Sequence, residues 1–243
     1  MFNKKPFISF NNTYPKLIDV FPKPEPASKN LPTWYKNQPA YFNNDKIVVN
    51  GSQKLTVKKC IAFFDIISSG YILKCPVDIY IDTTQDNPIF EISPQFNQLK
   101  IPLIANHSVE QISHYPIDEE NELKFLLRIN MVWVISTPKN YSCLFINPQH
   151  SDPLPIKAVS AVIDTDDFYS DGLFSFVVKK GFKGIIKKGT PLVQVIPFKR
   201  ENWDSVINQN FDVNNKLKYQ RFKIRTMFNG GYKKYFWKKK VYK

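Results

Sequence analysis

Glycine, cysteine and histidine are scarce in this chain of 243 residues, with eight Gly, three Cys and three His. So few glycines leave little room for phosphate-cradling loops, and no G-x-x-x-x-G-K-[ST], G-x-G-x-x-G or G-x-S-x-G occurs. Cys60, Cys75 and Cys143 are too few and too scattered for a disulfide framework and form no C-x-x-C, so reduced, buried thiols are expected. A zinc deaminase needs H-x-E with P-C-x-x-C, and neither is present. His150-Ser151-Asp152 is an H-x-D, half of an iron facial triad. That triad expects its second histidine downstream, and His107 and His114 both lie upstream. No apolar stretch approaches the about 18 residues of a membrane span. The first residues, MFNKKPFISFNN, lack the apolar run of a signal peptide, so a protein that is neither membrane-embedded nor secreted is expected.

Acid is missing from one end of the chain. Between Lys216 and Lys243 there are eleven Lys or Arg and no Asp or Glu, which leaves only +2 of the net +13 for all the preceding residues. The body is nearly neutral and the tail is a strong cation. With 43% apolar and 15% aromatic residues the chain can bury a real core.

Residues 1–45 are rich in Pro, Asn and aromatics, and prolines at 22, 24, 26, 32 and 39 bar a continuous helix there. An extended arm is expected, with LPTWYKN as a short helical or turn element anchored by Trp34 and Tyr35. The arm either straps its own domain or reaches a neighbouring subunit through those two rings. From about residue 47 the pattern changes to short β-type runs. KIVVNGSQKLTVKKC carries Asn50-Gly51 between two β-branched stretches, a hairpin signal. YILKCPVDIYID, IFEISPQFNQLKIPLI, YSCLFIN, IKAVSAVID, GLFSFVVKK and TPLVQVIPFK each read as strands. ENELKFLLRINMVWVIS can open as a helical turn and continue as a buried strand over Ile129–Ser136. HYPIDEENE (114–122) reads as a solvated helix start. Many short strands bounded by Pro, Gly, Asn or Asp point to a sandwich or barrel. After Phe198, the spacing of Trp203, Ile207, Phe211, Leu217, Phe222 and Ile224 is helical.

The basic tail has three readings. Lys216, Lys218, Arg221, Lys223, Arg225, Lys233, Lys234, Lys238, Lys239 and Lys240 can neutralise nucleic-acid phosphates while aromatics stack on bases. Alternatively Tyr219, Phe222, Tyr232, Tyr235, Phe236 and Trp237 plug a neighbour's pockets while the lysines meet an acidic rim. The third reading folds the tail onto its own body.

SAVIDTDDFY (160–169) sets three carboxylates, Asp164, Asp166 and Asp167, behind an apolar run that reads as buried. This segment carries a resemblance. AVIDTDDFY is similar to the G-V-I-D-x-D-Y-x-G motif of dUTPase-like proteins, and KGIIKKGTPLVQVIPF (183–198) resembles that family's later strand, with Gly189 and Gln194 in step. TPKNYSCLFINPQHS (137–151) sits where the family has its Arg-Ser-Gly segment, and SSGYIL (68–73) echoes its first motif. The whole chain also resembles a family of phage-encoded proteins with the same LPTWYKN, TVKKC and SCLFINP elements. The resemblance implies a dUTPase-like β-barrel that forms a homotrimer or larger ring. For a dUTPase-type hydrolase it implies Asp164 activating water, Asp166 or Asp167 assisting, and Mg²⁺ held through water. Here the sequence departs from the family. Gln149 stands at the phosphate-binding Arg, Ile72 at the first motif's Asp and Ala161 at the motif's Gly. A neutral Gln gives up the bidentate grip on a triphosphate.

The expectation is an all-β chain in three parts: an extended Pro-rich N-terminal arm (1–45), a dUTPase-like β-barrel (46–200), and a short helical, basic and aromatic C-terminal arm (201–243). The function expected of it is non-enzymatic. The phage resemblance implies a structural or assembly protein, found in the virion or the host cytoplasm, that contacts its own copies and other virion proteins. Without enzyme chemistry no cofactor is required.

Overall fold

Short runs of β-branched and aromatic residues, cut by proline and Asn/Asp turns, favour extended backbone that pairs over a few residues at a time. The computed structural model describes residues 6–42, 48–49, 52–53, 55–98, 101–168, 172–207, 213–226 and 231–243. In chain order it begins with β1 (Ser9–Asn12), β2 (Glu25–Pro26), α1 (Thr33–Asn37), β3 (Val48–Val49), β4 (Ser52–Gln53) and α2 (Ile61–Ser68). Next come β5 (Tyr71–Lys74), β6 (Ile79–Asp82), β7 (Ile89–Ile92), α3 (Pro94–Gln98), β8 (Ile104–Asn106), β9 (Glu122–Asn130) and β10 (Trp133–Ser136). The last strands are β11 (Tyr141–Ile146), β12 (Ile156–Ala158), β13 (Ala161–Ile163), β14 (Leu173–Lys179), β15 (Lys183–Ile186) and β16 (Pro191–Lys199). Two helices follow, α4 (Val213–Thr226) and α5 (Gly231–Tyr235).

The fold is mainly β, as expected. Three sheets, ordered β13-β11-β16-β5-β2, β12-β14-β9-β8 and β15-β6-β7, wrap one core. Leu73, Val193 and Val195 come from the first sheet, Leu127, Ile129 and Phe176 from the second, and Ile79 and Ile81 from the third; all are buried. Among the described residues no sheet closes on itself, so the closed barrel expected over 46–200 is not present as a ring. Instead β13 and β2 are free edges of the largest sheet. Gly70 lets β5 lie close to β16. It has φ +71°, and a Cβ there would fall 2.0 Å from the carbonyl oxygen of Val195.

Of the two readings of the N-terminal segment, its pairings fit the strap on its own domain, since β1 pairs with β10 and β2 with β5. Several local expectations need correction. β3 and β4 pair as the hairpin signal implies, although Asn50 and Gly51 themselves lie outside the described residues. TVKKC is not a strand. Thr56 Oγ1 accepts from the backbone N–H of Lys58 (3.3 Å), which caps a 3₁₀ turn over Val57–Lys59 and feeds α2. The 122–136 run is two strands, broken where Val132 takes φ 57° and donates its N–H to Asn130 Oδ1 (2.8 Å). Asp118 folds the 118–121 acidic segment into a turn by accepting from the Glu120 backbone and from Asn121 Nδ2, so no helix starts there. Residues 201–207 are irregular and exposed, and helix begins only at α4; Phe211 lies outside the described residues.

Candidate functional site

β13 was read as the end of a buried run, but it pairs only with β11, and Val162 is 59% exposed. An edge strand leaves one row of its backbone groups without a strand partner. Beyond Ile163 the chain turns, with the backbone N–H groups of Asp167 (3.2 Å) and Phe168 (2.9 Å) donating to the carbonyl of Asp164. Thr165 roots this turn in the body. It is buried, its Oγ1 lies 2.8 Å from Thr137 Oγ1, and it donates to Cys143 Sγ at 3.3 Å.

The two flanking carboxylates converge on Arg200, the residue immediately after β16. Arg200 grips Asp166 with both ends of its fork, Nη1 to Oδ1 at 2.8 Å and Nη2 to Oδ2 at 2.5 Å. The same Nη1 lies 3.2 Å from Asp164 Oδ1 and donates to the Tyr141 carbonyl (3.2 Å) and Ser142 Oγ (3.1 Å). Ser142 Oγ in turn donates to Asp164 Oδ1 at 2.6 Å, and the Asn140 backbone N–H reaches Asp166 Oδ2 at 2.7 Å. The Arg200 guanidinium is the main reason that the Asp166 carboxyl is held down to about 2. The structure thus brings Asp164 and Asp166 together and leaves Asp167 exposed beside them. Arg200 was not singled out in the sequence, and one basic residue after a strand gives no pattern to find it by. A divalent cation at these carboxylates would have to displace the guanidinium that already occupies their shared face, so the residues fit Mg²⁺ poorly.

The other half of the resemblance lies in a different hollow. A cleft of about 270 Å³ is lined by Lys29 and Lys36 from the N-terminal segment, Gln149, Ser151 and Asp152 from the loop after β11, and Thr190. None of its lining residues borders the hollow formed by Lys139, Asp164, Asp166, Asp167, Phe168 and Arg200. Gln194 also lines the cleft and is structural. Its buried amide donates to the carbonyls of Ile66 (2.8 Å) and Ser69 (2.7 Å) and accepts from the Gln149 backbone N–H (3.1 Å). His150 packs its ring 4.3 Å from that of Phe63, and among the described residues no group of three or more His, Cys, Asp or Glu side chains can hold a metal ion.

The rings expected to meet a partner at the N-terminal side sit instead on their own chain. Tyr35 is 3% exposed and stacks on Phe63 at 5.8 Å. Trp34 donates from Nε1 to the His150 carbonyl at 2.8 Å and meets Phe63 edge-on, while Lys58 donates to the Tyr35 carbonyl at 2.7 Å. Two aromatic residues side by side on a one-turn helix need cover, and α2 supplies it.

The C-terminal residues divide into two groups. Trp237 donates from Nε1 to both carboxylate oxygens of Asp65 (3.0 Å each), and Lys240 pairs with the same carboxylate. Tyr242 lies edge-on to Tyr71, whose hydroxyl donates to the Lys243 carbonyl at 3.2 Å. For these residues the structure realises the self-folded reading of the tail. In the second group, Phe236, just past α5, packs on Phe222 of α4, with ring centroids 5.2 Å apart. Lys218, Tyr219, Arg221, Phe222, Arg225 and Phe236 line a groove there. Lys223 lies over Tyr219, Arg225 and Lys234 over Tyr235, and Lys233 over Trp237. Tyr232 and Tyr235 are exposed, as are Lys216, Lys238 and Lys239. Lys223 and Arg225 occupy the last turn of α4, where cations complement the helix dipole.

Among the described residues no helix is long and apolar enough to cross a membrane. No family model, curated protein or solved structure matches the chain.

Proposed function

We propose that this chain is a non-catalytic structural or assembly protein, a virion component of the kind its resemblance to phage-encoded proteins implies, whose body derives from a dUTPase-like barrel. The observation that supports it is the fate of the acidic turn. Both oxygens of Asp166 are committed to Arg200, and Asp164 Oδ1 is shared between Ser142 and Arg200. A catalytic carboxylate needs a lone pair free to take a proton from water; Asp166 has both oxygens on Arg200, and Asp164 Oδ1 helps pin the end of β16 to the turn after β13. Self-association through the exposed β13 edge, with Val162 and Phe168 beside it, makes the trimer or ring. The C-terminal unit of α4 and α5 engages a further partner.

The test is the mass of the purified protein by light scattering, with and without dUTP and Mg²⁺. A trimer or ring that ignores the nucleotide is expected, and a monomer at every concentration refutes self-assembly. A dUTPase-type hydrolase is the alternative. It draws on one observation, that the Asp164 side chain is 63% exposed and borders an open hollow with Arg200. That reading requires Mg²⁺-dependent release of pyrophosphate from dUTP, abolished by Asp164→Asn, and no release is expected.

A further inference from the structure

We infer that the groove between α4 and α5 binds single-stranded nucleic acid, with its cations on the phosphodiester chain and its rings against unstacked bases. The inference rests on the reading above that the C-terminal unit is the partner-binding part, and it names the partner. Charge carries the first step. Eleven cations and no acid lie between Lys216 and Lys243, and Lys218 and Arg221 in the groove form no ion pair among the described residues. The ligand must therefore bring the negative charge.

A second copy of this chain does not bring it. Apart from that tail the chain carries only +2, and several of its carboxylates are committed within it. Asp65 pairs with Lys240, Asp166 with Arg200, Asp82 with Lys183, Asp78 with Lys187 and Glu25 with Lys74. The second step is the interleaving of rings with charge. Tyr219, Tyr232 and Tyr235 are about half exposed, at 51%, 44% and 49%, on the same unit as the cations. An acidic peptide would use the cations and leave the rings idle. A single strand offers one phosphate and one flat base per nucleotide, so it matches both features along α4, whose fourteen residues span about 21 Å. A duplex matches less well, because its bases are stacked against each other and closed to these rings.

The experiment uses the full chain and a fluorescein-labelled thymidine oligonucleotide of about 20 residues, read by anisotropy across a salt series. Binding is expected at low salt and should weaken with a log–log slope of about −3, as four or five phosphate contacts on a single strand produce. The double substitution Lys218→Glu and Arg221→Glu should weaken binding at least about tenfold and flatten the slope by about 1–2, with an unchanged melting temperature. Tyr219→Ala, at the ring that lines the groove, should weaken binding about tenfold without changing the slope. Binding that the double variant retains overturns the groove assignment. Capture of polyglutamate or of phosphatidylserine vesicles but not of the oligonucleotide overturns the nucleic-acid inference and leaves the C-terminal unit as the partner element. Capture of none of the three overturns both.

Discussion

Gln194 offers the sharpest test of how the cleft is held. Replacing it by Met keeps the length and bulk of the side chain but deletes two donors and one acceptor. The Gln149 N–H borders the cleft and can be rewetted, whereas the carbonyls of Ile66 and Ser69 face a side chain that is 1% exposed. Each buried polar group left without a partner costs about 1–3 kcal/mol, so the two carbonyls together cost about 2–6 kcal/mol. In a chain of this size each kcal/mol lowers the melting temperature by about 2–4 °C, so the loss should be at least about 4 °C, with an unchanged denaturant slope. Gln194→Glu adds a sign test. A carboxylate there faces two carbonyl oxygens, so its folded pKa is raised above the about 4.3 of the unfolded chain. The charge penalty is then full above the folded pKa, and disappears below the unfolded value, so this variant should gain stability relative to Gln194→Met on acidification. Thermal melts of the three proteins between neutral and mildly acidic pH read both effects. If Gln194→Met melts within about 1 °C of the parent, the bridging role assigned to the amide is wrong.

Four further outcomes are expected. The Asp166 carboxyl is held down to about 2. Its stabilising contribution is therefore complete above the unfolded value of about 3.9 and is lost as pH falls through the folded one; Asp166→Asn should remove that limb from a profile of melting temperature against pH. Gly70→Ala drives a Cβ to 2.0 Å from the Val195 carbonyl at φ +71°; a loss of about 3 kcal/mol or more is expected, and chemical denaturation giving under about 1 kcal/mol would contradict the close approach of β5 and β16. Burial pushes the Cys75 thiol up to about 12 and the Cys143 thiol up to about 11, while Cys60 is exposed; mass spectrometry after brief iodoacetamide treatment at neutral pH should find one alkylated cysteine, and labelling of all three would count against the core assignment. Asp65→Asn weakens the grip on Trp237 and Lys240; limited proteolysis should then cut the last residues faster, with the melting temperature of the body nearly unchanged.

Patterned strands were the most legible part of the sequence. YSCLFIN and TPLVQVIPFK pair with each other as β11 and β16, because runs of β-branched and aromatic residues favour strands, and these two are buried over consecutive residues at the centre of the sheet. LPTWYKN forms α1 where the prolines and rings place it. IAFFDIIS was missed as α2, since a short apolar run looks alike as strand or buried helix. β13 misled for a different reason: it is the strand it was read as, but its apolar residues lie on a sheet edge and are largely exposed. Composition showed the acids of SAVIDTDDFY but not their partner, because Arg200 lies far along the chain and meets them only through the β11–β16 pairing. Nor could spacing say that Trp34, Tyr35 and Trp237 stay on their own chain, since a ring that binds a neighbour and one that binds its own body share one composition.

The clamp at Arg200 and the grip of Asp65 on Trp237 together fasten both ends of the stretch from Glu201 to Phe236. A segment moored twice behaves as a closed loop. It samples fewer arrangements than a dangling tail of equal length, so less freedom remains to be lost when a ligand settles on it. Pulling on that ligand loads two moorings in parallel, one built on a guanidinium fork and one on an indole and an ammonium sharing a single carboxylate. Both moorings hold through carboxylates bound to charged donors, so freeing the segment from the body means breaking two charge-assisted contacts, and freeing it lengthens its reach.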